Sequence, residues 1–390
     1  MMNAQFLAAI LAATAAATAS ETPLPPPEPL ERLAPGLSAT VLLRAGDRLD
    51  DGTTYQPQND YTGFFPQGEG GRGFLLVGHE LRYRSHEGGL GGRFTRLKVA
   101  GAKVLRGETW VGGMHNNCAG TQTPWKTILS GEENPHEYLP GKARMALTDR
   151  VSPGDTAAEV GWMYEIDPFE PNPARRTVRR QAMGRFSHES AAILGDAVYL
   201  TEDAYDGHFF KFVPDRSNDY SRGKLFAYQA GSKSWLPVGD VYNARPEATA
   251  AGATPYNRLE DLQVGPDGLI YLAETGNLAK GDTFGRILRF DPATGEMRTY
   301  LEGGPDAFAQ ADNLAFDDRG RLLICEDQFD ANVARYGSNE VVRAAGGKVE
   351  SLLAVRRDGE PSGPSRGPDG LLYLSVMAKA NSALLAIRGL

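Results

Sequence analysis

The chain has 390 residues, a formal net charge of −8 and 41% hydrophobic residues. This composition excludes an intrinsically disordered protein, and the excess of negative charge argues against nucleic acid or an anionic membrane surface as a partner. The 46 glycines and 25 prolines lie between short apolar runs, which is typical of an all-β protein with many turns.

The first 19 residues resemble a secretory signal peptide. An apolar run from Phe6 to Ala17 leads into Ala17-Thr18-Ala19, a small-residue cleavage pattern. Residues 20–36 are rich in proline and are expected to form an extended tether. We therefore predict a periplasmic or secreted protein without stable membrane insertion. Its single folded domain would span residues 37–390 and act as a monomer.

A hairpin of two strands recurs along the rest of the chain. Each copy has a tight turn, such as Gly265-Pro266-Asp267-Gly268, in which Pro fixes φ and Gly accepts a positive φ. An apolar second strand follows the turn and mostly ends in acidic residues. Five copies end at His79-Glu80, Glu132-Glu133, Glu202-Asp203, Glu274 and Glu326-Asp327, and LLYLSV follows the turn of a sixth.

The copies recur about every 50 to 70 residues, a period found in propeller arrays. Segments between the hairpins supply a third and a fourth strand in most units. The sequence therefore predicts an all-β fold, a six-bladed β-propeller with four-stranded blades. The last unit lacks a fourth strand of its own, and Ala39–Arg44 is predicted to supply it and to close the ring.

The acidic hairpin ends are expected to converge at the central channel, because the innermost strands of a propeller point there. Carboxylates held close together repel one another, so this arrangement indicates bound cations. Oxygen ligands favour Ca²⁺, whereas one thiolate among them favours a softer metal such as iron. The alternative for any single acid is a solvated turn residue.

The segment from Asn117 to Asn134, NCAGTQTPWKTILSGEEN, resembles the signature of the PhoX-type alkaline phosphatases, NCAGG-x-TPW-x-T-x-L-x-x-EEN. Weaker matches to the same family follow along the chain. They are VGHEL (77–81), GRFSHES (184–190), RLED (258–261), CEDQ (325–328) and EPSG (360–363). The resemblance implies an iron- and calcium-dependent propeller that hydrolyses phosphomonoesters outside the cytoplasm.

The resemblance also implies roles for individual residues. Cys118 falls on an iron ligand, and Glu133, Glu189 and Glu260 fall on metal-binding positions. The predicted ligand set also includes Glu80, Glu132, Asp261 and Glu326, which belong to the acidic ends of the repeated hairpins. Arg258 falls on a phosphate-binding arginine, and Arg357, or Arg356 beside it, on a second.

Each of these roles has an alternative. Cys118 could pair with Cys325 in a disulfide or be an inert buried thiol, and Arg258 could serve only as an ion-pair partner of Glu260 or Asp261. For the whole protein, the alternatives are a calcium-dependent lactonase or esterase, and a calcium-stabilised propeller that binds a partner without catalysis.

Overall fold

The structure is a computed structural model that describes residues 28–82, 91–135, 149–367, 370–378 and 381–390. The predicted signal peptide and the first part of the predicted tether lie outside these residues. No helix in the described part of the chain is long and apolar enough to span a membrane.

The described residues form six antiparallel sheets of four or five strands, each corresponding to one blade. Blade 1 contains β3 (Asn59–Pro66), β4 (Arg72–His79), β5 (Gly92–Ala100) and β6 (Val104–Met114). Blade 2 contains β7 (Asn117–Gln122), β8 (Ile128–Glu132), β9 (Met163–Ile166) and β10 (Thr177–Arg179). Blade 3 contains β11 (His188–Leu194), β12 (Ala197–Glu202), β14 (Phe209–Arg216), β15 (Asp219–Gln229) and β16 (Ser234–Val238).

The remaining blades follow the same order. Blade 4 contains β18 (Leu259–Val264), β19 (Ile270–Glu274), β20 (Arg286–Asp291) and β21 (Glu296–Glu302). Blade 5 contains β22 (Ala311–Phe316), β23 (Leu322–Glu326), β24 (Glu340–Ala345), β25 (Lys348–Val355) and β1 (Leu30–Leu33). Blade 6 contains β26 (Gly359–Arg366), β27 (Leu372–Ala378), β28 (Ala383–Arg388) and β2 (Ser38–Arg44).

Short elements occupy the connections. A two-stranded sheet pairs β13 (Tyr205–Gly207) with β17 (Tyr256–Asn257). Among the described residues, the α-helix α1 (Ala244–Ala251) lies between blades 3 and 4, and α2 (Asp330–Tyr336) lies within blade 5. The prediction of a six-bladed β-propeller is confirmed, with two blades of five strands where four were expected.

The N-terminal part of the folded chain closes the ring. Strand β2 pairs antiparallel with β28, from Ser38 opposite Arg388 to Arg44 opposite Ala383. This confirms that the segment around 39–44 supplies the missing fourth strand of the last blade. Residues 30–33, which the sequence assigned to the tether, instead form β1 on the edge of blade 5, where Leu30 is buried.

The first strand of each blade lies at the centre of the ring. Each of these six strands contacts the first strand of the next blade, and β26 contacts β3, which completes the circle. The beginnings of all six strands are therefore brought together around one axis. That axis is where the sequence pattern predicted the acidic residues to meet.

The hydrophobic core is divided among the interfaces between blades. On β4, Leu75 and Val77 pack with Tyr373 of blade 6, whereas Leu76 packs with Ile128 of blade 2. Side chains of a strand alternate between its two faces, so a strand buried on both faces needs a continuous apolar run. This explains the runs FLLV, AVYL and LLIC in the second strands of blades 1, 3 and 5.

Candidate metal centre

The second residue of each innermost strand faces a common cavity. These six residues, one from each blade, are Asp60, Cys118, Glu189, Glu260, Asp312 and Glu360. All six side chains are buried or nearly so. The fold thus converts a repeat in the sequence into a ring of potential ligands.

A β-bulge lies beside five of these six side chains. In blade 1, Asn59 pairs with His79, and regular pairing resumes only when Thr62 meets Val77, so the residues between them are out of register. The same irregularity occurs at the start of the first strand in blades 2 to 5. A bulge commonly re-aims a side chain next to a functional site.

The cavity enclosed by the ring has a volume of about 210 Å³. Its lining contains one thiol, one arginine and nine carboxylic acids. The acids are Asp60, Glu80, Glu133, Glu189, Asp203, Glu260, Asp312, Asp327 and Glu360. Among the described residues of this lining, Arg258 alone is basic.

Four groups of ligand atoms in the cavity lie close enough to share an ion, with all atoms of a group within 4.8 Å of one another. Two groups include the thiol: Asp60, Cys118 and Glu189, and Glu80, Cys118 and Glu133. Two groups contain only oxygen: Glu133, Glu189 and Asp203, and Glu189, Glu260 and Asp312. Glu189 belongs to three of the four and therefore lies at the centre of the arrangement.

A second layer of acids comes from the residues that follow the second strands. Glu80, Glu133, Asp203 and Asp327 line the cavity. Their backbone N–H groups donate, over 2.8 to 3.1 Å, to the carbonyl oxygens of the residues that precede the first strands, which are Gln58, Asn116, Ser187 and Gln310. This repeated hydrogen bond holds both layers in register.

Three predicted ligands lie away from the cavity lining. The Glu132 carboxylate accepts hydrogen bonds from the backbone N–H groups of His115 and Gly161, each over 2.9 Å. Glu326 accepts in the same way from the N–H groups of Ala309 and Glu340. Both acids end a second strand, and both support a loop through backbone hydrogen bonds.

Asp261, the third of these residues, follows Glu260 on β18 and faces a different set of partners. Its carboxylate accepts hydrogen bonds from Ser190 Oγ over 2.6 Å and from the N–H of Leu314 over 2.9 Å. It therefore ties the first strands of blades 3, 4 and 5 together. Burial raises its pKa, and the hydrogen bonds oppose that shift.

Arg258 occupies the position that Gln58, Asn116 and Gln310 occupy in other blades. Its Nε and Nη2 lie 2.9 and 3.0 Å from the two oxygens of Asp203, and Nη2 lies 2.7 Å from Glu260 Oε1. Burial opposes the charge of Arg258, but the two carboxylates outweigh it and raise the pKa of the guanidinium. Its φ of +59° is uncommon for a residue other than glycine.

Arg357, the second predicted phosphate ligand, does not line the acidic cavity. Its exposed side chain lines a neighbouring cavity of about 440 Å³ together with Gln328, Val333 and Met377. The two cavities share Met377 and two acids, Asp327 and Glu360. The structure therefore brings only one of the two predicted arginines into the ring.

Without bound cations, the carboxylates of the acidic cavity have too little positive charge near them to be ionised together. Burial raises the pKa of Asp60 to about 6, that of Glu80 to about 7 and that of Glu260 to about 8. Burial, together with the neighbouring carboxylates, raises the pKa of Glu189 well above its usual range. Asp60 Oδ2 and Glu189 Oε1 are buried with no hydrogen-bond partner in the described structure. Such groups are costly unless they are protonated or bind metal.

The donor set of the cavity fits a mixture of cations. Carboxylate oxygens are the ligands that Ca²⁺ prefers, and a thiolate is suited to a softer transition metal. Cys118 and Cys325 are both free, so the alternative of a disulfide between them is wrong. Cys325 packs in the core between blades 5 and 6, whereas Cys118 Sγ lies 3.9 Å from Glu133 Oε2.

Several cavity residues were absent from the predicted ligand set: Asp60, Asp203, Asp312, Asp327 and Glu360. Asp203, Asp312 and Asp327 stand in the repeated hairpins, where the repeat marks the place but does not show which of two neighbouring residues faces the cavity. Asp60 lies at the start of the first unit, which has no acidic pair to mark it. Its equivalence to Cys118 becomes visible only when the strands are aligned in space.

Comparison with known protein families identifies the chain. The family model described as alkaline phosphatase PhoX matches residues 96–377, well over half of the sequence. The chain belongs to the PhoX alkaline phosphatase family. This is a family of phosphomonoester hydrolases whose members depend on metal ions. The family predicted from the NCAGTQTPW segment is thereby confirmed.

Solved structures support the same fold. PhoX from Pseudomonas fluorescens, in complex with vanadate as a transition-state analogue, is 20% identical with a TM-score of 0.78 over 93% of this chain and 96% of that chain. A putative gluconolactonase is 12% identical with a TM-score of 0.50 over 93% of this chain and 96% of that one. No curated protein sequence matches the chain.

Proposed function

We propose that this PhoX-family protein hydrolyses phosphomonoesters at a centre of iron and calcium ions in the acidic cavity. The observation that carries the proposal is the lining itself, in which nine carboxylic acids and a thiol surround one arginine. Phosphate esters are anions, and an uncompensated cavity of this charge would repel them. Bound cations reverse that charge and make the cavity a site for phosphate.

The ligand groups that contain the thiol and those that contain only oxygen suit different metals. The groups that include the Cys118 thiol, with Asp60, Glu189, Glu80 and Glu133, suit iron. The oxygen-only group of Glu189, Glu260 and Asp312 suits calcium. When bound, the cations supply positive charge to the phosphoryl oxygens and lower the pKa of coordinated water.

Arg258 is the residue of this chain that would hold the phosphoryl group. Two of its nitrogens are fixed by Asp203 and Glu260. A guanidinium oriented in this way donates to phosphate oxygens without having to reorganise during the reaction.

The alternatives, a calcium-dependent lactonase and a non-catalytic binding propeller, require no thiol. Likeness of fold does not distinguish them, because the putative gluconolactonase shares the architecture. A thiol whose sulfur faces four acids of the cavity favours the phosphatase. The match of the family model over residues 96–377 favours the same function.

The test is turnover of p-nitrophenyl phosphate by purified protein that has been stripped of metal and reconstituted with iron and calcium. We expect activity with both metals and at least a tenfold loss with calcium alone. Elemental analysis of the same samples reports which ions are bound. Metal-loaded protein without turnover would refute the proposal, and binding of calcium alone would favour the alternatives.

We also propose that the protein acts in the periplasm or outside the cell. The apolar run of residues 6–17 and the cleavage pattern at 17–19 support export. Expression of the full chain, followed by N-terminal sequencing of the extracellular or periplasmic product, is expected to show a chain that begins near residue 20. Recovery of uncleaved protein from the cytoplasm would contradict export.

A further inference from the structure

The cavity beside the acidic ring is larger than the ring itself. It has a volume of about 440 Å³, within the range of small-molecule binding sites, whereas the acidic cavity has about 210 Å³. Asp327, Glu360 and Met377 belong to the walls of both. A phosphate held in the acidic cavity would therefore have this space beside it.

Part of the lining of the larger cavity is apolar. Val333 of α2 contributes to it, together with Met377 and Ala378 at the end of β27. Val333 and Ala378 are buried. Such a surface can pack against the flat or aliphatic face of a ring.

Polar residues also line this cavity, among them Gln328, Gln58 and Arg357. Gln328 is 7% exposed, and its Nε2 donates to Glu326 over 3.2 Å, whereas its Oε1 is buried with no hydrogen-bond partner in the described structure. An acceptor buried without a donor is unfavourable, so a ligand group that reached Oε1 and donated a hydrogen bond would stabilise the complex.

We propose that this cavity is the subsite for the alcohol part of the phosphomonoester. It would favour esters of a ring-bearing alcohol that carries hydroxyl or amide groups, as sugars and nucleosides do, over esters of small alkyl alcohols. The ring packs on Val333 and Met377, and its polar groups meet Gln328, Gln58 and Arg357. The inference rests on the proposed phosphatase function, since the phosphate is what anchors the ester beside the subsite.

The test compares adenosine 5′-monophosphate with methyl phosphate on the metal-loaded protein. Both are esters of primary alcohols, so a difference in kcat/KM reports mainly contacts to the alcohol. We expect at least a tenfold preference for the nucleotide. Val333→Trp fills the cavity and is expected to remove this preference while leaving methyl phosphate turnover within about twofold. Val213→Trp, on an exposed position of β14, is the matched control and should change neither.

Gln328→Met provides a second variant that keeps the length of the side chain and removes the amide. We expect it to raise KM for the nucleotide several-fold without changing kcat for methyl phosphate. A wild-type protein with no preference, or a preference that survives both Val333→Trp and Gln328→Met, would overturn the subsite.

Binding of adenosine itself, measured by equilibrium dialysis, separates the subsite from the phosphatase function. Adenosine binding that Val333→Trp abolishes, in a protein that hydrolyses no ester, supports the subsite and refutes the proposed function. Hydrolysis of both esters at equal kcat/KM, without adenosine binding, supports the function and refutes the subsite. Absence of both activities refutes both.

Discussion

Glu132 and Glu133 are adjacent in the sequence, but their carboxylates serve different parts of the structure. The Glu132 side chain is buried away from the axis and accepts hydrogen bonds from the backbone N–H groups of His115 and Gly161. The Glu133 side chain lies in the acidic cavity, where its Oε2 is 3.9 Å from Cys118 Sγ. Successive side chains of an extended chain point to opposite sides, so one residue of such a pair faces the axis and the other does not.

This difference yields a matched pair of substitutions. Glu133→Gln removes a carboxylate from two ligand groups, so we expect loss of bound metal. The fall in activity should exceed the roughly 10- to 100-fold typical of losing an outer partner of a metal ligand. Glu132→Gln should keep the metal content and lower stability by about 1–3 kcal/mol, because buried N–H donors lose a charged acceptor. Elemental analysis and thermal melting measure the two effects, and equal metal loss in both variants would contradict the assignment.

The two cysteines provide a second pair. Cys118→Ser replaces the thiol with a harder ligand, so we expect loss of iron with calcium largely retained. Cys325→Ala removes a buried thiol from the core between blades 5 and 6 and should cost some stability while leaving both metals in place. Metal content and p-nitrophenyl phosphate turnover of each variant are the measurements. Full iron content in Cys118→Ser would exclude the thiol as a ligand.

The sequence was sufficient for the fold because the fold depends on repetition. Tight turns such as GPDG and the apolar runs that follow them, such as LIYL and LLYL, are local features, and this combination recurs along the chain. The identity of the inward-facing acids was harder, because it depends on a bulge that shifts the register by one position. Where a Glu-Glu or Glu-Asp pair ends a strand, the pattern indicated the place but not which member faces the axis. Glu132 and Glu326 were therefore predicted as ligands, although they do not line the cavity. Asp60, which lines it, lies in no such pair and was not predicted.

Arg258 is expected to act on substrate binding. Arg258→Lys keeps a positive charge near Asp203 and Glu260 but removes the planar, bidentate donor, so KM for p-nitrophenyl phosphate should rise at least tenfold. Arg286→Lys is the control, because Arg286 pairs with Glu274 and does not line the acidic cavity. Steady-state kinetics measure both. An unchanged KM in Arg258→Lys would leave Arg258 with only its ion-pair role.

The closure of the ring predicts unequal effects of two N-terminal truncations. Removing residues 1–36 deletes β1, an added edge strand of blade 5, and should lower the melting temperature while leaving a folded protein. Removing residues 1–46 also deletes β2, which exposes the edge of β28 and opens the last blade. We expect this second protein to be unfolded or insoluble. Circular dichroism distinguishes the outcomes, and equal melting temperatures would contradict closure by β2.

The acidic cavity also predicts how stability depends on pH when metal is absent. In the metal-free protein, burial raises the pKa of Asp60 to about 6, that of Glu80 to about 7 and that of Glu260 to about 8. In the unfolded chain these acids titrate near pH 4. Between pH 4 and pH 8 the folded state therefore holds protons that the unfolded state has released. The free energy of unfolding must then fall as the pH rises through this window.

We accordingly expect metal-free protein to melt at a higher temperature at pH 5.5 than at pH 8. Excess calcium should raise the melting temperature more at pH 8 than at pH 5.5, because at the lower pH protons compete with the ion for the same carboxylates. Melting curves in a chelator and in calcium, over a series of pH values, test both statements. Glu260→Gln should reduce the pH dependence of the chelated protein, since it removes one of the raised pKa values. A melting temperature of chelated protein that increases from pH 5.5 to pH 8 would show that the acids of the cavity are not held in a desolvated cluster.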